Sequence, residues 1–356
     1  MSDTFPVVEA SGSRRNLGVQ HGEQARERIC GFLDFLAASL GLSRDQIRTR
    51  ALRFLPLFQS ACPHLIPEIK GLAGGASIEF ADALAVQIRG ELGQLNEGGC
   101  TTFVISGSGT ANGDVLIGQT SDMAAEMADY AYVLRIRPDD RPAAVMWTFG
   151  GMLGYHGLNA HGVAHFANAL GGGPAWKFAL PHYPLKRMML EQADLNGVRA
   201  LLRRIKVCSN GNYVCCDGAG HILDVELTSD GPLFFEDAGR GYLVHSNHYL
   251  CAPHDCRENF EKSLPDSFPR LARIGKLIAE DLVGRITIAD CRRYLSDHDG
   301  HPVGICRHPQ EEGGYGDEIL PASGRTVAAL IAETGSRRLH VCRGNPCSGE
   351  FVAHAI

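Results

Sequence analysis

The stretch Glu97-Gly98-Gly99-Cys100-Thr101-Thr102-Phe103-Val104-Ile105 divides the chain into two kinds of sequence. Two glycines precede a cysteine that opens a run of β-branched and apolar residues, the pattern of a strand. Ahead of it the periodicity is helical. From His21 to Gly41, apolar side chains recur at Ala25, Ile29, Phe32, Leu33, Leu36 and Leu40, close to a 3.6-residue repeat. Ser43-Arg44-Asp45-Gln46 has capping-box form and starts a second helix that runs toward Cys62 and is broken by Pro63. A short helix ends at Gly74-Gly75, and Ser77 caps another from Ile78 to Arg89.

Beyond Gly99 the signals are those of strands. Thr102–Ser106 and Val115–Gln119, with Asn112-Gly113 between them, predict a hairpin. Further strands are expected at Tyr132–Ile136, Ala144–Phe149, Gly162–Asn168, Asn212–Cys216, His221–Leu227, Leu233–Glu236 and Tyr242–Ser246, with Thr326–Glu333 and Arg338–Arg343 closing the chain. Helices are expected at Pro184–Ala193, Leu195–Lys206, Phe268–Leu282 and Ile288–Ser296. Hairpin-linked strands without alternating βα units point to antiparallel sheets with helices packed outside, an α+β fold. The Glu- and Gly-rich stretch Arg307–Ser323 reads as a mobile loop.

Composition limits the function classes. The 356 residues are 44% hydrophobic, enough for a large core, and 34 basic against 40 acidic residues argue against a nucleic-acid binder. There is no apolar run of membrane-spanning length. Met-Ser-Asp-Thr-Phe-Pro at the start lacks the basic and apolar regions of a secretory signal, and Ala-His-Ala-Ile at the end carries no targeting signal. With twelve cysteines in so long a chain, the expectation is a cytoplasmic protein whose thiols are mostly buried apolar groups, as at Cys30, Cys62, Cys208, Cys291 and Cys342.

Cys100 has a chemical use that the others lack. Mid-chain, its nitrogen is an amide and no base. If the thiol attacks the Gly99 carbonyl, the acyl group moves to sulfur, and water then releases it. Cys100 is left with a free α-amine of pKa about 7.7–8.0 beside its own thiol, so that nucleophile and base sit on one residue. Gly99, without a Cβ, permits the close approach this step needs. Asp122 returns beside Cys100 if the hairpin pairs, where its carboxylate can accept a hydrogen bond from the new ammonium. Asn168 and Asn247 each follow a strand, in Gly157-Leu158-Asn159 through Asn168 and in Val244-His245-Ser246-Asn247-His248. An amide N–H₂ there can stabilise an oxyanion, or simply cap a turn.

Together these segments resemble the acyl-coenzyme A:isopenicillin N (6-aminopenicillanic acid) acyltransferase family of the N-terminal-nucleophile hydrolases. Gln20-His21-Gly22 and Pro63-His64-Leu65-Ile66-Pro67-Glu68-Ile69-Lys70-Gly71 resemble its pro-segment, and Gly99-Cys100-Thr101-Thr102 its cleavage site. Gly118-Gln119 with Asp122, the two asparagine segments, Leu264-Pro265-Asp266-Ser267 and Ile305-Cys306-Arg307 follow in the family's order. The resemblance implies a four-layer αββα sandwich, with residues 1–99 as α-chain and 100–356 as β-chain in one intertwined domain. It implies Cys100 as catalytic N-terminus, Asp122 near its amine and Asn247 in the oxyanion hole. Similarity to conjugated bile-acid hydrolases adds Asn168 to that hole and Arg270 as support for the thiolate, which a nearby guanidinium favours. Thr120-Ser121 stand where the family often has Asn-Trp, so with Gln119 and Arg307 they are candidates for shaping the substrate pocket. The hairpin loop Ser106–Asp114 is longer than in the penicillin enzyme.

The expectation is therefore a self-processing cysteine amidohydrolase acting on a small N-acyl substrate, with no cofactor and no metal in its site; acyl transfer to an amine is the alternative. Weaker readings take the protein as a non-catalytic binder, or as a zinc protein drawing ligands such as His248, Cys251 and Cys256 from a segment that also holds His245 and His254. Gly107-Ser108-Gly109 lacks the strand–turn–helix setting of a serine nucleophile.

Overall fold

Ser13 starts the first helix by accepting a hydrogen bond from the Asn16 N–H, and α1 runs Arg14–Leu40 until left-handed Gly41 ends it. The helix thus begins a full two turns before the apolar repeat that His21 seemed to open. The next elements are α2 (Arg44–Leu52), whose Ser43–Gln46 capping box forms as expected, α3 (Leu55–Ala61) and, after a 3₁₀ turn at Pro63–Leu65, α4 (Ile66–Ala76). Gly74 and Gly75 lie inside α4 rather than ending it. Ser77 is the left-handed C-cap of α4 (φ 58°), not the N-cap of the following helix α5 (Phe80–Val86), which Glu79 precedes. A further turn, α6, spans Arg89–Gly93. The structure is a computed structural model that describes residues 3–93, 99–251, 253–254, 265–282, 285–310 and 324–356. Most of the expected loop at Arg307–Ser323 lies outside the described residues, as does Cys256.

Helices α1 and α4 cross on glycine. A Cβ at Gly18 or Gly22 would lie 1.9 or 2.5 Å from the carbonyl oxygen of Glu68 or Leu72, and one at Gly71 or Gly75 would lie 2.2 or 2.1 Å from that of Arg15 or Val19. Four-residue spacing puts each pair on one helix face, so the two backbones meet directly. That is why Gln20-His21-Gly22 and the Gly71 end of the Pro63–Gly71 motif matter structurally.

Fourteen strands among the described residues form two sheets. The eight-stranded sheet has the order β1 (Val7–Gly12), β4 (Ala131–Pro138), β5 (Ala144–Phe149), β6 (His156–Asn159), β7 (Ala164–Ala169), β8 (Gly211–Cys216), β9 (Ile222–Thr228), β10 (Gly231–Phe235). Only its β1–β4 pair is parallel. The six-stranded, antiparallel sheet has the order β11 (Tyr242–His245), β2 (Gly99–Ile105), β3 (Leu116–Met123), β12 (Arg325–Glu333), β13 (Arg338–Arg343), β14 (Phe351–Ala355). Strands β1, β6 and β14 have no counterpart in the sequence reading, so Arg338–Arg343 does not close the chain.

The sheets face each other through β2, β3 and β11 against β7, β8 and β9. Helix α1 covers β1 and β4, the short α7 (Met127–Tyr130) packs against α1 and β12, and α8 (His182–Met189) and α9 (Leu195–Arg204) continue the α1 layer. On the other side, α10 (Ser267–Asp281) covers β2 and β11, and α11 (Ile288–Leu295) covers β3 and β12. The result is the αββα sandwich. Period-two alternation sorts β2 between its two faces: Phe103 and Ile105 join Ile274, Ile278 and Tyr294 under the helices, whereas Val104 joins the main core toward the other sheet. Cys100 has the parity of Val104 and points into the space between the sheets.

A buried ionic cluster joins the two parts of the sequence. Arg187 grips Glu68 through two hydrogen bonds of 2.9 and 3.1 Å, Arg14 reaches Glu191 at 2.8 Å, and His64 meets the other oxygen of Glu191 at 2.8 Å. His21 and Tyr132 share a hydrogen bond of 2.6 Å beside it. No helix among the described residues is long and apolar enough to cross a membrane.

Candidate active site

Pairing across the β2–β3 hairpin sets Gly99 opposite Asp122, Cys100 opposite Ser121 and Thr102 opposite Gln119. On the other edge of β2, His245 lies opposite Thr102, so the chain leaving β11 carries Asn247 up to Cys100. Ser267 holds it there by accepting the Asn247 N–H at 2.9 Å. Register alone therefore gathers three of the expected residues.

Asn247 contacts Cys100 twice. Its Oδ1 accepts the Cys100 backbone N–H at 3.0 Å, and its Nδ2 donates to Sγ at 3.2 Å. The orientation of the amide is fixed by its other partners: Arg270 donates to Oδ1 at 2.8 Å, and Nδ2 donates to the Ala169 carbonyl at 3.0 Å. Asn168, near the end of β7 in the facing sheet, donates to the Cys100 carbonyl at 3.3 Å and accepts from Asn212 at 3.4 Å.

Arg270 stands in the first turn of α10 and is buried. Besides Asn247 it donates to the Cys100 carbonyl at 2.7 Å, to Thr101 Oγ1 at 2.9 Å and to Asp266 at 2.8 Å. The same Asp266 oxygen pairs with Arg307, whose Nε lies 3.5 Å from Asp122 Oδ2. Thr326, opposite Asp122 on β12, donates to Asp122 Oδ1 at 2.7 Å. Charges thus alternate from Asp122 through Arg307 and Asp266 to Arg270, all buried. Asp122 Oδ2 is buried and takes no hydrogen bond.

Burial raises the Cys100 thiol above its ordinary pKa, against the hydrogen bond from Asn247 and the charge of Arg270, which favour the thiolate. Asp122 is also raised, chiefly by burial that Arg307 and Arg270 only partly offset. Burial acts on Asp266 in the same sense, but two guanidiniums outweigh it and hold the carboxylate below its usual value.

The four residues expected to shape the pocket are engaged elsewhere. Gln119 ties β3 to β7 by donating to the Ala167 carbonyl at 2.6 Å, Thr120 and Ser121 are buried in β3, and Arg307 is held by its carboxylates. None lines the cavity of about 320 Å³ that opens beside Ala167, Asn168 and Ala169. Glu91, Trp176, His182, Tyr183, Lys186 and Tyr213 surround that space instead. Lys186 lies in the helix expected at Pro184–Ala193 and Tyr183 just ahead of it, in the observed helix His182–Met189, but nothing in their sequence marked them as pocket residues. Thr326 and Asp266 were likewise not singled out, although Asp266 falls within the Leu264–Ser267 motif.

Among the described residues of the histidine-rich segment, which leave out Cys256, no group of metal ligands gathers. His245 directs Nε2 to Glu226 at 3.2 Å and Nδ1 to the Ser246 carbonyl at 3.0 Å, and His248 Nδ1 meets Ser267 Oγ at 2.7 Å.

The αββα sandwich is the fold of the N-terminal-nucleophile hydrolases, and here a buried cysteine follows a glycine at the head of a central strand. The chain belongs to the acyl-coenzyme A:6-aminopenicillanic acid acyl-transferase family, whose profile matches residues 109–346. The acyl-coenzyme A:6-aminopenicillanic-acid-acyltransferase 40 kDa form of Emericella nidulans is 25% identical over 325 residues, spanning 88% of this chain and 87% of that protein. Penicillin V acylase from Agrobacterium tumefaciens is similar in fold, with a TM-score of 0.51 at 12% identity over 72% of this chain and 86% of that one. A single-residue variant of conjugated bile acid hydrolase from Clostridium perfringens gives 0.50 at 11% identity over 72% and 97%. At such identities the likeness speaks for the fold.

Proposed function

We propose that this enzyme is a self-processing cysteine amidohydrolase that cuts the amide bond of a small N-acyl compound through a thioester on Cys100. The observation that carries the reading is the double contact of Asn247 with the nitrogen and the sulfur of Cys100. A side chain that only packed the strand would have no reason to address both atoms.

In the first step the Cys100 thiol attacks the Gly99 carbonyl carbon, the C–N bond breaks, and the nitrogen takes up the thiol proton. Water hydrolyses the resulting thioester and leaves an α-chain of residues 1–99 and a β-chain of residues 100–356. The two stay associated through the pairing of β1 with β4 and the Arg14–Glu68–Arg187–Glu191 cluster. The new α-amine stays beside Asn247 Oδ1, and Asp122 Oδ2, which takes no hydrogen bond in the uncut chain, is the acceptor we assign to it.

The amine then takes the Cys100 proton, the thiolate adds to the substrate carbonyl, and Asn247 Nδ2 donates to the developing oxyanion. Asn168 is assigned as second donor, which requires it to release the Cys100 carbonyl. Arg270 positions Asn247 and, by its charge, favours the thiolate. The ammonium protonates the leaving amine, and water resolves the thioester. An amine in place of water makes the same enzyme an acyltransferase, the reaction that the family description favours. The cavity beside Asn168, with its aromatic walls, suits a small acyl group. Gln119, Thr120, Ser121 and Arg307 then act one layer back, by fixing the strand and the charges around Cys100. A cytoplasmic site suits the thiols, none of which forms a disulfide among the described residues.

The test is to trap the intermediate. Acid quench of enzyme mixed with N-acyl amino acids, N-acyl amines or penicillins is expected to leave the acyl mass on the peptide starting at Cys100. Added hydroxylamine is expected to divert it to a hydroxamate. Turnover with no adduct on Cys100 overturns the reading.

A further inference from the structure

A second group of reactive side chains lies outside this site. His298, Cys306, His308 and Cys347 bring four ligand atoms within 4.8 Å of one another. His308 Nε2 stands at the centre, 3.0 Å from His298 Nε2, 3.6 Å from Cys306 Sγ and 3.6 Å from Cys347 Sγ. A tetrahedral zinc ion with two imidazoles and two thiolates sets its nitrogens about 3.3 Å apart and nitrogen from sulfur about 3.6 Å apart. The observed spacings match that figure. A cluster of neutral, hydrogen-bonded side chains accounts for them poorly, because one imidazole nitrogen has one proton or one lone pair for three neighbours.

We propose that these four residues bind a structural zinc ion. All four ligands come from the chain, as in closed, non-catalytic zinc sites. Cys306 is buried and His308 half-buried, whereas His298 and Cys347 are exposed, so the ion has a path in from solvent. Asn345 donates to Cys306 Sγ at 3.4 Å and to the Arg307 carbonyl at 2.6 Å, which supports a thiolate ligand and steadies the residue after it. The ion fastens the segment after α11 to the turn between β13 and β14. Arg307 stands between two ligands, Cys306 and His308, and its guanidinium links Asp266 to Asp122. The zinc thereby fixes the backbone from which that link is made.

The experiment measures metal in the full-length protein purified without chelator and then dialysed against zinc. About one zinc per chain is expected, lost in Cys306→Ser and Cys347→Ser and kept in Cys30→Ser and Cys100→Ala. The last variant makes the result independent of the catalytic reading. Because a ligand variant can fail to fold, wild-type protein is also exchanged with cobalt. The strong visible bands of tetrahedral cobalt and a thiolate charge-transfer band are expected. Wild-type protein that holds no stoichiometric zinc after dialysis, ligand variants that fold and keep it, six-coordinate cobalt spectra, or a Cys306–Cys347 disulfide in the isolated protein each overturn the proposal.

Discussion

Asn247 Oδ1 lies 3.0 Å from the backbone nitrogen of Cys100 while its Nδ2 lies 3.2 Å from the sulfur, so one planar amide senses both atoms that the proposed chemistry uses. Asn247→Ala removes both contacts. The expected result is a fall in kcat of about 10²–10³ with little change in KM, the size seen when an oxyanion donor is lost. Asn247→Asp also places a negative charge beside the thiolate and is expected to fall further. Single-turnover acylation rates check both.

Arg270 opposes the effect of burial on the Cys100 thiol. In Arg270→Gln burial is opposed by less, and the pH profile for alkylation of Cys100 by iodoacetamide is expected to move to higher pH. Arg270→Lys keeps the charge but loses the fork that joins Asn247, Thr101 and Asp266, so its profile should move less while kcat still falls. Identical profiles in all three proteins would remove Arg270 from the account.

The α1–α4 crossing leaves no room for a methyl group. Gly71→Ala places a Cβ 2.2 Å from the Arg15 carbonyl oxygen and forces the helices apart. A loss of about 1–3 kcal/mol of stability is expected. Gly74→Ala, whose Cβ meets nothing within 4 Å, is the control and should be neutral or slightly stabilising. Denaturant melts of both variants decide this.

Glu191 ties the first hundred residues to the rest. Burial raises its pKa, but the hydrogen bond from His64 and the charges of Arg187 and Arg14 prevail, and it falls to about 2. A carboxylate whose pKa drops on folding stabilises the fold fully above its ordinary value of 4.5, and that stability is lost as pH falls through about 2. Glu191→Gln is expected to cost about 3 kcal/mol at neutral pH. The gap from wild type should close between pH 4.5 and 2 in denaturant melts.

Much of this fold was legible because its signals are local. Asn112-Gly113, with Gly113 at φ 79°, announces the hairpin, and once β2 and β3 pair the meeting of Gly99 with Asp122 follows. The missed strands lack such punctuation. β6 is only His156–Asn159, and β14 follows a turn at Asn345–Gly349 after what reads as the last strand. Ser77 misled because serine is a common N-cap, whereas here helix α4 needs a left-handed residue to end on. In the site, Cys100, Asp122, Asn168, Asn247 and Arg270 were visible through the ordered motifs. Their supports were not legible as such: Arg307, singled out only for the pocket, and Asp266 and Thr326 meet Asp122 and Arg270 only through tertiary packing, and the cavity walls come from α6, α8 and β8. The Cys306–His308 pair stood in plain view, but its partners His298 and Cys347 are brought to it by the fold.

The central claim is that Cys100 becomes an N-terminus. Intact mass spectrometry of the active enzyme tests it most directly. The account predicts two chains, the larger beginning at Cys100, and a single uncut chain in the Cys100→Ala variant; one full-length species in fully active enzyme would contradict it.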